Sequence, residues 1–179
     1  MREMINKLFW IIAGIVFCAN LHAQKFNNII IDEKTDKPML MGYTTLEAFS
    51  DTSFSWWWNS EYNMYDVDSM NVAELKVKLE DVDIKIVMGT WCSDSRTEVP
   101  HFYKLLDEIN YPEEKVTLIN VNRDKQGLEN EVEGLDINFV PTFIFYIAEE
   151  EIGRIIEMPY ETLEKDMLEL LSANVSGKE

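Results

Sequence analysis

Gly89-Thr90-Trp91-Cys92-Ser93-Asp94-Ser95-Arg96-Thr97-Glu98-Val99-Pro100 is the stretch on which the fold turns. Just before it, Ile84, Ile86, Val87 and Met88 form a short apolar run suited to a buried central strand. Just after it begins, Val99, Phe102, Leu105, Leu106 and Ile109 recur at helical spacing. The segment therefore reads as a strand-to-helix junction that carries a cysteine. First-turn N–H groups lack intrahelical partners there, and the helix dipole is positive. Both favour thiolate over thiol, and the thiolate is the nucleophile. Arg96 would push the same way and Asp94 the opposite way, while the Ser95 hydroxyl could donate to the sulfur. Ser95-Arg96-Thr97-Glu98 also reads as a capping box, with Ser95 receiving the Glu98 N–H and Glu98 reaching back.

Working outward, Lys115–Val121 is a second strand and Gln126–Val132 a short polar helix. Phe143–Ile147 and Ile152–Ile156 flank an acidic turn, Ala148–Glu151, and predict an antiparallel hairpin. Tyr160–Leu171 closes with a helix whose apolar stripe is Leu163, Met167, Leu170 and Leu171. A parallel βαβ unit, an antiparallel hairpin and a final helix predict an α/β domain with a mixed central sheet covered on both faces. Upstream, residues 24–80 are rich in aromatics and lack strand alternation beyond Asn28–Ile31. Trp57, Glu61, Met64 and Tyr65 suit one amphipathic helix; Val72, Leu75 and Leu79 suit another, capped by Asp68 or Ser69. Trp56-Trp57-Trp58 reads as rings packed against the later domain, with a sugar-stacking platform as the alternative.

WCSDSRTEVP resembles the active-site stretch of the thioredoxin family. There, Trp precedes a Cys-x-x-Cys pair, a basic residue follows, and a proline lies four positions further on. Trp91, Cys92, Arg96 and Pro100 match in place. Asn138-Phe139-Val140-Pro141-Thr142 resembles the family's cis-proline loop, which packs against the active-site sulfur. The resemblance covers roughly residues 82–172 and implies a thioredoxin-like three-layer sandwich over residues 81–176, preceded by a helical extension over 24–80. Two departures matter. Ser95 stands where the family has its second cysteine, and Ile86 stands where typical members hold a buried acid. A dithiol enzyme resolves its mixed disulfide with that second thiol, so the resemblance implies monothiol chemistry at Cys92, with Ser95 beside it. Trp91, Val140 and Pro141 are implied in substrate binding, with the Val140 backbone pairing to an extended segment. Arg96 and Asp94 would tune the thiolate. A binding module that kept the fold without the chemistry is the competing expectation.

The amino terminus reads as an address. Arg2 and Lys7 precede a run of 12 apolar residues from Leu8 to Ala19, too short for the roughly 20 a membrane span needs. Residues 1–23 are expected to be a secretory signal, so the chain is expected in the periplasm or outside the cell, on a membrane only through an uncleaved signal. Cleavage would remove Cys18 and His22 and leave Cys92 and His101. No internal disulfide could then form, and the expected partner is a thiol or disulfide of another molecule. Asp and Glu number 33 against 16 Lys and Arg, a net charge of −17, which argues against a nucleic-acid partner. No metal site and no cofactor are expected, since one Cys and one His provide no local ligand signature. His101 follows Cys92 by about 13 Å of helix, too far to act as its base.

Overall fold

A computed structural model describes residues 26–175; the expected signal segment, with Cys18 and His22, lies outside them. The strands are β1 (Asn28–Asp32), β2 (Lys37–Thr44), β3 (Asp83–Met88), β4 (Val116–Asn120), β5 (Thr142–Ile147) and β6 (Glu150–Ile156). The helices are α1 (Thr52–Met64), α2 (Ser69–Lys78), α3 (Ser93–Ile109) and α4 (Leu163–Val175). One six-stranded sheet has the order β1-β2-β4-β3-β5-β6. Only β3 and β4 run parallel, and the other pairs are antiparallel. The mixed α/β architecture is the one the element pattern predicts.

The two sides of β3 show why the sheet has two unlike faces. Ile84, Ile86 and Met88 point to one side and join Phe143 and Phe145 of β5 in the main core. All four helices bury their stripes there, through Phe54, Trp57, Leu75, Phe102, Leu105 and Met167 among others. Val87 points to the other side, into a smaller cluster with Ile119, Val121 and Val140. That side is covered by Val132, Leu135 and Ile137 of an irregular segment.

This segment corrects one expectation, because Gln126–Val132 is not a helix. The Asn122 carboxamide oxygen accepts from Asp124 N at 2.9 Å and Gln126 N at 3.0 Å, fixing a turn where a helix would begin. Glu131 then folds back, its carboxylate accepting from Glu129 N at 2.7 Å. The β5–β6 turn is also tighter than expected, with only Ala148 and Glu149 between the strands. Both have positive φ, 50° and 66°, as a two-residue hairpin with the sheet's twist requires.

The upstream part departs further. Its two helices are present, capped by Asp51 and Asp68, but a β-hairpin precedes them and β2 pairs with β4 through Gly42↔Asn120 and Thr44↔Leu118. The sheet thus continues across the expected division near residue 80. Strand β2 shows no alternation because Met39, Leu40 and Met41 are all buried, so a period-2 pattern is absent by construction. Pro38 and Gly42 weaken the signal further.

Phe102 and Phe143 are fully buried and stack at 4.5 Å between centroids, pinning α3 to β5. Phe143→Ala is expected to lower unfolding free energy by about 3–5 kcal/mol, measured by urea denaturation.

Candidate functional site

The end of β3 delivers the chain into a tight turn and then α3. Cys92 donates its backbone N–H to Gly89 O at 2.9 Å and occupies the N-cap position of α3 with extended backbone. Its carbonyl accepts the Arg96 N–H at 3.2 Å, the first bond of the helix. The helix therefore starts earlier than the capping-box reading has it. Ser95 lies inside the first turn, fully buried, and its hydroxyl oxygen accepts from Gly89 N at 3.2 Å. It ties the strand end to the helix and caps nothing.

Antiparallel pairing of β3 with β5, with Val87 opposite Thr142, brings the residues before β5 alongside this junction. The Val140–Pro141 peptide is cis. The Cys92 thiol donates to Val140 O at 3.2 Å, and the Thr142 hydroxyl holds the turn through Phe139 O at 2.8 Å. Cys92 is half-buried and free, the one cysteine among the described residues. Phe139, the residue before Val140, is exposed.

Trp91 folds back over Gly89, so closely that a Cβ there would sit 2.5 Å from Trp91 Nε1. Its indole N–H donates to Val121 O at 2.8 Å. Arg96 does turn towards the site. Its Nε donates to Thr90 O at 2.6 Å, and its charge interacts with Cys92. Its other face lies 5.8 Å over the Trp57 ring. Asp94 receives the Ser93 hydroxyl at 3.2 Å. The structure thus brings Trp91, Cys92, Ser95, Arg96, Val140 and Pro141 together. Thr90, also buried, accepts from Leu40 N at 3.1 Å and attaches the turn before Cys92 to β2.

Several residues here escaped the sequence. Arg123, just past β4, lies 5.0 Å over the Trp91 ring and forks into Asp32 at the end of β1. Nothing in sequence connects positions so far apart. On the helical side, Glu98 is pushed up to about 7, first by burial and then by Asp94 and Glu61. His101 stacks on Tyr65 at 4.6 Å and faces the Glu61 carboxylate at 3.3 Å, while burial lowers its pKa. The three tryptophans form no platform. Trp57 and Trp58 are buried, Trp58 stacking on Phe49 at 3.9 Å, and only Trp56 is exposed. Among the described residues no group of three or more His, Cys, Asp or Glu is arranged to hold a metal ion. No described helix is long and apolar enough to cross a membrane.

No family model matches the chain. Over 101 residues, 54% of its length, the chain is 32% identical to thioredoxin domain-containing protein 2 of Rattus norvegicus, covering 17% of that protein. Over 80 residues, 45% of its length, it is 30% identical to a thioredoxin-like protein of Acanthamoeba polyphaga mimivirus, covering 56% of it. The chain therefore spans less than two thirds of either relative. Among solved structures it is similar to thioredoxin O2 of Arabidopsis thaliana in its oxidised state, at 22% identity and a TM-score of 0.36, covering 60% of this chain and 90% of that one. These similarities are to thioredoxin-domain proteins, and the chain itself has a mixed α/β architecture built on one six-stranded sheet.

Glu98 binds its proton more tightly folded than unfolded, since its pKa rises from an ordinary 4.5 to about 7. Its contribution is therefore full below pH 4.5 and is lost as pH rises through 7. Glu98→Gln removes the charge from both states. Its melting temperature is expected to gain on the native chain between pH 5 and pH 8, by about 2–4 °C after solvent screening, measured by thermal scans at both pH values.

Proposed function

We propose that the chain is a monothiol exchange protein in which Cys92 reacts with disulfides of other molecules. The observation that carries this reading is the position of its sulfur. It stands at the N-terminus of α3, half-exposed, 3.2 Å from the carbonyl that precedes the cis-proline. A sulfur there meets unpaired helix N–H groups and the positive dipole end, with the Arg96 guanidinium on the same side.

The chemistry balances without a second cysteine. The Cys92 thiol gives its proton to water and the thiolate attacks one sulfur of a disulfide. A Cys92–sulfur bond forms as the substrate S–S bond breaks, and the departing thiolate takes up a proton. A low-molecular-weight thiol, as its thiolate, then attacks the mixed disulfide and releases Cys92. Disulfides are exchanged and no net electrons stay on the protein. The Val140 backbone offers an edge beside which an extended substrate segment can lie. Residues 1–23 support an exported location.

One observation favours a second reading, a groove that binds peptides without chemistry. The Cys92 thiol is itself hydrogen-bonded to Val140 O, as a resting structural contact would be. In that case Cys92→Ser leaves peptide capture intact.

Cys92 is expected to react with hydroxyethyl disulfide at pH 7 about tenfold faster than a free-cysteine peptide, with the adduct mapped to Cys92 by mass spectrometry. Cys92→Ser abolishes that adduct. Equal rates for protein and peptide would end the claim of activity. A second variant separates geometry from reactivity. Ser95→Cys supplies the missing resolving thiol and is expected to reduce insulin disulfides in the presence of dithiothreitol, where the native chain does not.

A further inference from the structure

The ring beside the reactive cysteine is fixed from three directions, and one of them reaches back to the first strand. Below Trp91 lies Gly89, with no room for a Cβ. At its edge the indole N–H is taken by Val121 O at 2.8 Å. Above it lies the Arg123 guanidinium, 5.0 Å from the ring centroid.

Arg123 is not placed there by chance packing of a long side chain. Its Nε and Nη2 fork onto the Asp32 carboxylate at 3.1 and 2.8 Å. Asp32 is almost wholly buried at the end of β1, its side chain 5% exposed. It is fixed in turn by the Thr35 hydroxyl at 2.6 Å and Lys34 N at 3.2 Å. Arg123 foremost, and then these local bonds, hold the Asp32 carboxyl well below the usual carboxylate range. A two-pronged guanidinium–carboxylate pair specifies orientation as well as distance, so the turn closing the β1–β2 hairpin dictates where the guanidinium plane lies. The guanidinium so placed lies over the ring of Trp91, the residue before Cys92.

We infer that Arg123, held by Asp32, is a positioning residue that fixes Trp91 as one wall of the groove in which an extended substrate meets Cys92. The inference rests on the exchange reading of Cys92 for its functional half, and on geometry alone for its structural half. Trp91 is half-buried, so an unpinned ring has room to move into or away from the groove. A mobile wall weakens substrate capture and leaves the sulfur chemistry as it was, which places the effect in KM and spares kcat.

The test has two arms on the full chain. In the first, 5-fluorotryptophan is incorporated, and the Trp91 fluorine resonance is assigned by its loss in Trp91→Phe. No substrate is present. Arg123→Gln and Asp32→Asn are expected to shift or broaden that resonance and leave those of the buried Trp57 and Trp58 in place. Arg123→Lys keeps the charge without the fork and is expected to broaden it too. Because Arg123→Gln leaves the buried Asp32 carboxylate without its charged partner, the double variant Asp32→Asn/Arg123→Gln removes both groups and is measured beside the single ones. An unmoved Trp91 resonance in the folded variants overturns the inference.

In the second arm, exchange is followed with a peptide–glutathione mixed disulfide. KM is expected to rise about tenfold in Arg123→Gln and in the double variant, with kcat changed less than twofold. A perturbed Trp91 resonance with unchanged KM also overturns the inference. A native chain that fails to exchange any disulfide removes the exchange reading instead, and the fluorine spectrum then still decides the clamp.

Discussion

The antiparallel pairing of β3 with β5 is the constraint from which the site follows. Lys85↔Ile144 and Val87↔Thr142 are paired neighbours, so the segment entering β5 must pass the segment leaving β3. The chain leaves β3 into the Gly89–Trp91 turn and enters β5 through Val140–Pro141. A register slip of one residue would turn Phe143 and Phe145 out of the helical core and the hydrogen-bonding edge of Val140 away from Cys92. Core packing and the sulfur–carbonyl contact are thus set by the same alignment. The stacked Phe102 and Phe143 rings keep α3 seated on β5, and with it the cap residue at the head of α3.

The upstream residues take part in this site. Strand β2 extends the sheet beyond β4, and its Leu40 N–H is held by the Thr90 hydroxyl in the turn before Cys92. Helix α1 packs on α3 through Trp57 and Trp58, with Trp58 tilted against Tyr103 at 5.6 Å. The linker to α2 is tied to α4 because buried Glu164 accepts from the Tyr65 hydroxyl at 2.9 Å and Asp68 N at 3.1 Å. A carboxylate so deep is tolerated because donors surround it. The polar seam of Glu61, Glu98, His101, Tyr65 and Glu164 therefore runs between the upstream helices and the α/β half.

What the sequence disclosed follows from the range of the interactions involved. Helices α2, α3 and α4 were legible because each has one buried stripe at helical spacing, and β3 and β5 because they are short apolar runs; α1 was placed correctly on the wrong stripe, since it buries Phe54, Trp57 and Trp58 and leaves Met64 exposed. The junction at Cys92 was legible because a strand ending and a helix beginning leave signals on adjacent residues. Strand β2 was hidden because burial of both faces erases alternation. The polar helix expected at Gln126–Val132 lost to a side-chain turn at Asn122, where local donors compete with helical bonds. The cap at Ser95 was misplaced for a related reason. A Ser three residues before a Glu looks the same whether it caps a helix or lies in its first turn, and the bonds from Arg96 N to Cys92 O and from Gly89 N to Ser95 tell them apart. Asp32 and Arg123 meet across 91 positions, and no periodicity reports such a pair.

Ser95 and Ile86, where the sequence departs from the stretch it resembles, each have a local reason in this geometry. Ile86 is fully buried in the helix-side core. An ionised carboxylate there would need partners, and the apolar neighbours supply none. An isoleucine at 86 adds apolar burial where an acid would cost desolvation. Ser95 in turn is a better acceptor for the Gly89 N–H than a thiol would be, since sulfur accepts hydrogen bonds weakly. Ser95 thereby ties the end of β3 to the first turn of α3, at the junction that holds Cys92.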